Sequence, residues 1–427
     1  MITFIASFPH LYTFTALSGE VLGPSMPPTG AITYDQLFAA TALVPGTYVF
    51  TDMERLHPAE LRLAAAFYRA MHRLAGFRVL NDPAKVRTRH ALLRALAEAG
   101  LNDFDSYPAD ALPRPRRFPV FLRIASDHAG PIGDLIADQA ELDARLAALA
   151  DEGVPLTGTL VVEFCGEPGI GGLYEKLAFL RVGDRITLSA MLANRHWNVK
   201  DVSQSMDFAT PETMRYQLAA LLEDRFAQSM RAAFDIAGID YGRADVGFGN
   251  GRLQVYEINT NPSIKASNSF TSDEHRRARM AFRDRLSAMM HAADSPAGQA
   301  SVPIDLGPLD APSEFRRARA RTILAGERTE QAERAAAAAA EAVAVQAMSA
   351  EAMSAEAISA EVTPAETAAA EAMSVAAAAR QDDIQSPQPP EEPLPAPFLP
   401  APLEAPPPVS ARLHGFGARL RRVIRFG

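Results

Sequence analysis

The chain has 427 residues, with 42 Lys and Arg against 51 Asp and Glu, a formal charge of -9 at pH 7, and one cysteine, Cys165. That balance argues against a general nucleic-acid binder, whose domain is usually basic, and one cysteine excludes an internal disulfide or a cysteine-rich zinc site. A reducing, cytoplasmic compartment is expected, and no run of about eighteen apolar residues offers a membrane-spanning helix.

The first residues, MITFIASFPHLYTFTALSGEV, are apolar only in pieces, lack a basic leader and contain Pro9 and His10, so no signal peptide is expected. GTYVFTD (46–52) is a β-branched and aromatic run. Pro58 then opens a helix whose Leu61, Ala65, Tyr68, Met71 and Leu74 recur at helical spacing, and FRVLN (77–81) reads as the next strand. Strand, helix, strand predicts a small α/β unit with a parallel pair. A further helix is expected from Pro83 through Leu92, Leu93 and Leu96 to Gly100.

PVFLRIAS (119–126) predicts a strand that runs into HAGPIGDLI, a loop carrying Gly130 and Gly133. Leu142, Leu146 and Leu149 mark the buried face of a helix over 138–150. TLVVEF (159–164) reads as a central strand, and 174–182 with 185–192 as a hairpin across Gly183 and Asp184. Residues 211–237 are expected to form one long amphipathic helix.

From about 293 the chain reads as a linker. Residues 331–380 are dominated by Ala and Glu and 386–408 by Pro, so neither can bury much apolar surface against the entropy of ordering. The last residues reverse the charge. Arg412, Arg419, Arg421, Arg422 and Arg425 accompany Leu413, Phe416, Leu420 and Val423 at helical spacing, which suits a basic amphipathic helix on a membrane surface or protein partner, or else a frayed tail.

The stretch GRADVGFGNGRLQVYEINTNP (242–262) carries the most chemistry. Glu257 and Asn259, two apart on a predicted strand, emerge on one face. Asp245 joins them only under one geometry. A two-residue Asn250-Gly251 turn pairs Ala244 with Glu257 and turns Asp245 away, whereas a three-residue turn from Gly249 with a bulge pairs Asp245 with Val255. The three oxygen donors suit magnesium with a nucleotide better than a free-standing protein cage. Arg123 before the 128–133 glycine loop has the form of a phosphate-holding element. His10, His57, His72, His90, His275 and His291 make no metal-spaced pair and read as structural or exposed.

Taken in order, PVFLR, the glycine loop, TLVVEF, a basic hairpin and D-x(11)-E-I-N-T-N-P resemble the ATP-grasp superfamily over about residues 80–270. The likeness is closest to the glutathione synthetase-like and ribosomal-protein glutamate ligase branch, and to uncharacterised bacterial members with GLYxKxxxFxVGDxI and a following W-x-V-K. The resemblance implies an α+β fold: an α/β pre-grasp domain (1–82), two grasp subdomains (83–155 and 156–292), a disordered linker (293–408) and the basic tail (409–427). It also implies ATP and Mg²⁺ as cofactors.

Each matched residue then acquires an expected role. Arg123 stands where the family usually has a phosphate-contacting lysine, a planar fork in place of a point charge. His128 to Gly133, with Gly130, would form a lid over the γ-phosphate. Glu163, Phe164 and Cys165 would be the adenine hinge, their backbone amides reading the purine edge, and Cys165 a small hydrophobe rather than a nucleophile. Lys176 matches a basic nucleotide or acceptor contact, and Arg123, Lys200 and Arg243 are the expected catalytic cations. Asp245, Glu257 and Asn259 match the metal ligands, with Lys265 and Asn268 facing the acceptor.

The activity implied is ligation of a small-molecule or peptide carboxylate to an amine through an acyl phosphate. A kinase of the same fold and a non-catalytic nucleotide-binding scaffold are the alternatives.

Overall fold

The computed structural model describes residues 1–127, 130–169, 172–199, 210–224, 226–264, 270, 272–296 and 298–359, with side chains to 339. Among these residues the strands form three four-stranded sheets and one two-stranded ribbon. The N-terminal segment supplies β1 (Ile2–Ala6) and β2 (Thr29–Thr33), followed by β3 (Ala42–Leu43), β4 (Thr47–Phe50) and β5 (Arg78–Leu80). β2, β1, β4 and β5 pair in that order, all parallel. The apolar pieces at the start are therefore an inner strand, every residue of β1 being buried.

Helix α1 (Thr15–Ser18) is a single turn, α2 (Tyr34–Ala39) carries a capping box from Thr33 and Gln36, and α3 (Pro58–His72) joins β4 to β5 as the periodicity predicts. Helix α4 runs over Arg89–Glu98, not from Pro83. Asp82 and Pro83 form a turn in which Asp82 Oδ1 accepts from Ala84 N (3.0 Å), and the helix starts where Thr88 accepts from Ala91 N.

The second sheet contains β6 (Ser106–Pro108), β7 (Val120–Ile124), β8 (Pro131–Ile136) and β9 (Thr159–Glu163), in the order β6-β9-β7-β8. Two expectations are corrected here. Residues 131–136 are a strand antiparallel to β7 and not part of a loop, and β9 belongs to this sheet, so the boundary expected at 155 falls inside one structural unit. Helix α5 (Gln139–Asp151) buries Leu142, Leu146 and Leu149 against it, as predicted.

The third sheet has the order β11-β10-β12-β13, built from β10 (Tyr174–Val182), β11 (Arg185–Asn194), β12 (Tyr241–Gly249) and β13 (Arg252–Asn259), all antiparallel. The long helix expected over 211–237 is two, α6 (Pro211–Leu222) and α7 (Ala227–Ala237). Asp224 between them takes φ +47°, a left-handed conformation that cannot continue a right-handed helix. Helix α8 (Asp273–Ala293) follows, and its Phe282, Leu286, Met289 and Met290 share a core with Ile2, Phe4, Leu180 and Tyr241.

Asn81 fixes the N-terminal sheet to β12 with all its amide functions. Its Nδ2 donates to Phe50 O and Tyr241 O (both 2.8 Å), and its Oδ1 accepts from Asp240 N (2.7 Å) and Tyr241 N (2.8 Å).

The chain after 293 is not a linker at once. β14 (Val302–Pro303) pairs with β3, Ile304 and Ala320 are buried in the core around Leu37, Phe38 and Phe67, and Arg316 bridges Asp35 (2.7 Å) and Glu60 (2.6 Å). Helix α9 spans Ala311–Ser359. Of the stretch expected as a disordered linker (293–408), the part through 359 carries β14 and α9, and the remainder, with the basic tail (409–427), lies outside the described residues. No helix among the described residues is long and apolar enough to cross a membrane.

Candidate active site

The site is built on the β12–β13 hairpin. Asn250 (φ 51°) and Gly251 (φ 74°) form a two-residue turn with both φ angles positive, the twist that suits a hairpin. Pairing runs from Gly249–Arg252 to Val246–Val255 and then resumes as Asp245–Glu257, Ala244–Ile258 and Arg243–Asn259, leaving Tyr256 as a bulge. The turn is thus the short one, and the three-residue turn is not formed. The shared face comes instead from a bulge inside the ladder, which brings Asp245 opposite Glu257. Asn102 stabilises that irregularity: its Nδ2 donates to Val255 O (2.8 Å) and its Oδ1 accepts from Val255 N (2.9 Å). The Tyr256 ring stacks on Phe104 with centroids 4.8 Å apart.

Both carboxylates are held by cations. Asp245 bonds Lys176 Nζ at 2.8 Å and Arg243 Nε at 3.1 Å, and Glu257 Oε2 accepts from Arg89 Nη2 at 2.7 Å and Arg123 Nη2 at 2.8 Å. Asn259 Nδ2 donates to Glu257 Oε1 (3.1 Å), and Asp245 pairs with Glu257 across the ladder, so the three expected metal ligands share one face. These side chains carry four positive charges against two negative, an excess that suits a polyphosphate. The Nε atoms of Arg89 and Arg123 are buried without a hydrogen-bond partner among the described residues.

Arg89 is the residue that sequence reasoning missed. It opens α4, where the positive end of the helix dipole disfavours a cation, and that unfavourable placement was the available signal. Beyond Glu257 it donates to the carbonyls of Ile124 (3.1 Å), Ala125 and Asp127 (3.0 Å), tying the segment after β7 to the hairpin. Burial lowers its pKa from the ordinary arginine value, with Glu257 opposing the shift.

A cavity of about 800 Å³ extends from this face. One wall is aromatic: Trp197 lies 5.3 Å, centroid to centroid, from both Phe164 and Phe121. The hinge expectation needs correction. The amides of Glu163 and Phe164 are already donated, to Asp105 O (3.0 Å) and Pro119 O (2.9 Å), and the Glu163 carboxylate accepts from Tyr107 Oη (2.8 Å), Arg116 N (2.7 Å) and Arg117 N (3.2 Å). Glu163 is therefore an anchor for the 105–117 segment, and of the three residues expected at the hinge Phe164 is the one that lines the cavity. Cys165 packs beside Tyr256, and burial pushes its thiol up to about 11, which makes it a poor nucleophile.

Gly130 and Pro131 line the cavity, whereas Gly133 sits inside β8 at φ 75°. Lys176, Arg123, Arg243, Asp245, Glu257 and Asn259 also line it. His128, Lys200, Lys265 and Asn268 lie outside the described residues. Among the described residues no cluster of three His, Cys, Asp or Glu side chains forms a metal cage. Two carboxylates and an amide are instead a donor set that would suit magnesium bound together with a nucleotide.

No protein-family model matches the chain, and no curated protein sequence matches it. Solved structures do. D-alanine–D-alanine ligase from Bacillus anthracis complexed with ATP is similar at 12% identity and a TM-score of 0.39, covering 68% of this chain and 96% of that one. A second structure of that ligase gives 13% and 0.37 over the same shares. The ATP-grasp ligase PsnB, complexed with a phosphomimetic variant of its minimal precursor, Mg and ADP, gives 13% and 0.39, again over 68% and 96%.

Proposed function

We propose that the protein is an ATP- and magnesium-dependent ligase of the ATP-grasp type, joining a small-molecule or peptide carboxylate to an amine through an acyl phosphate. The observation that carries this reading is the single face shared by Asp245, Glu257 and Asn259, ringed by Lys176, Arg243, Arg89 and Arg123. The order of motifs along the sequence supports it.

In this reading Asp245, Glu257 and Asn259 would hold magnesium, whose charge would offset that of the transferring phosphoryl group. Arg89, Arg123 and Lys176 turn toward the nucleotide phosphates, relieving the carboxylates of their present partners. Phe164 and Trp197 pack on the purine, and contact with the rings matters more than the two hinge amides already bonded within the fold. Arg243, which lines the cavity, steadies the substrate carboxylate. Catalysis on this plan is positioning and charge stabilisation, and no covalent enzyme nucleophile is needed.

The test is product analysis. ADP release that depends on both a carboxylate and an amine, with an amide formed, supports ligation; a phosphorylated alcohol as product assigns the site to a kinase, and absence of magnesium-dependent ATP binding removes both.

A further inference from the structure

Beyond the magnesium face, the cavity meets the carboxyl ends of the parallel N-terminal strands, where open α/β sheets bind ligands. Asp52 lies two residues past the end of β4, 2% exposed and held at φ 59°. Its Oδ2 meets His10 Nδ1 at 2.7 Å and accepts from Ser7 N at 3.2 Å, while its Oδ1 accepts from Arg55 Nε at 3.0 Å. The backbone amide of Asp52 donates to Thr260 Oγ1 (2.9 Å), next in sequence to Asn259, and Thr13 Oγ1 donates to Asn261 Oδ1 (2.6 Å). His10, Thr13, Asp52 and Arg55 all line the same cavity as Glu257 and Asn259.

A carboxylate only accepts hydrogen bonds, so the 2.7 Å contact puts the proton of neutral His10 on Nδ1 and leaves the lone pair on Nε2. A histidine oriented by a buried carboxylate at the edge of a reaction cavity is the arrangement of a general base. We infer that His10, oriented by Asp52, is the proton acceptor for the amine substrate of the ligation. This rests on the ligase reading above.

The step balances simply. An amine enters as its ammonium form, and His10 Nε2 takes one proton. The neutral amine attacks the acyl carbon, the C–N bond forms, and the bond from carbon to the phosphate oxygen breaks with its electron pair leaving on phosphate. The second amine proton departs with that phosphate. Asp52 and Arg55 face His10 from the end of β4, Glu54 is held on Thr260, and Arg243 of β12 with His275 and Arg279 of α8 line the same cavity. The histidine read from sequence as structural or exposed thus becomes a residue of the reaction.

The full-length protein carries the test. In ¹⁵N-labelled protein with magnesium and ATP, neutral His10 is expected as the Nδ1-protonated tautomer, and Asp52→Asn is expected to shift that tautomer; an Nε2-protonated His10 overturns the inference. Turnover gives an independent readout, with a panel of carboxylates offered alongside a primary amine or hydroxylamine, which is already unprotonated at neutral pH. His10→Gln is expected to lose about 10²-fold in amide formation at pH 7 and to recover as pH rises, while keeping its hydroxamate yield and melting temperature. Equal loss with both nucleophiles, or loss with neither, overturns it. Absence of ATP binding in the unaltered protein would instead overturn the ligase reading, and the two failures are told apart by Trp197 fluorescence on adding magnesium and ATP.

Discussion

Asp245 stands opposite Glu257 because Tyr256 is bulged out of the ladder between them, and this one-residue slip turns three separated oxygen donors into one site. Both carboxylates are now neutralised by cations, so each can be tested by its effect on binding and on stability. Glu257→Gln leaves Arg89 and Arg123, 7% and 10% exposed, facing a neutral amide. Breaking a buried pair from one side costs about 3 kcal/mol, so the variant is expected to melt several degrees lower and to lose magnesium-dependent ATP affinity. Trp197, the only tryptophan and a cavity wall, reports both in fluorescence titrations. Unchanged affinity would refute the metal assignment.

Arg89 joins the carbonyls after β7 to Glu257, and lysine cannot reproduce that planar fork. Arg89→Lys is expected to weaken ATP binding at least tenfold and to speed amide hydrogen exchange over 124–127. The same exchange pattern in variant and parent would separate Arg89 from that segment.

Truncation separates the ordered chain from the composition-biased stretch. Cutting after residue 292 removes Ile304 and Ala320 from the core around Phe38 and both ion pairs of Arg316. Burial of Ile304 alone stabilises by roughly 2 kcal/mol, so a drop of several degrees in Tm is expected. Cutting after 324 keeps all of these contacts. Comparing the two melting curves measures what 293–324 contributes.

Asp103 offers a pH test away from the site. Its carboxyl is held down to about 2, first by the hydrogen bond from Arg252, with Asn250 and Gln254 adding to it. A depressed pKa contributes stability above the unfolded value of about 4, and that contribution is lost as pH falls from about 4 toward 2. Asp103→Asn is expected to flatten that part of the Tm-against-pH curve; a curve that keeps its slope would assign acid loss to other groups.

Cys165, with its thiol raised to about 11 by burial, is expected to resist alkylation at pH 7.5 in the folded chain and to react after denaturation. Rapid modification of native protein, followed by mass spectrometry, would contradict its placement beside Tyr256.

Much of the fold was legible because its signals are local. The helical spacing from Pro58 buries one face, the apolar run at 159–163 is buried throughout, and the hairpin across Gly183 turns at a glycine; each of these signals lies in neighbouring residues. Cap chemistry was legible only in part. Thr88 rather than Pro83 starts α4, and Asp224 breaks a pattern that looks continuous from 211 to 237. The strand at Ile2–Ala6 was missed because a fully buried parallel strand has no alternation to show.

The sequence by itself determined the residue types and their spacings: two carboxylates and an amide at 245, 257 and 259, a cation at 123, and Phe164 and Cys165 after an apolar strand. It could not determine which face Asp245 takes, because a strand alternates with period two and one bulged residue reverses the answer. That bulge is stabilised by Asn102 and Phe104, distant in sequence from Val255 and Tyr256, and the site's charge balance by Arg89 and Arg123, 168 and 134 residues from Glu257. Contacts over such separations exist only once the sheets have packed, so only the tertiary structure could decide the site.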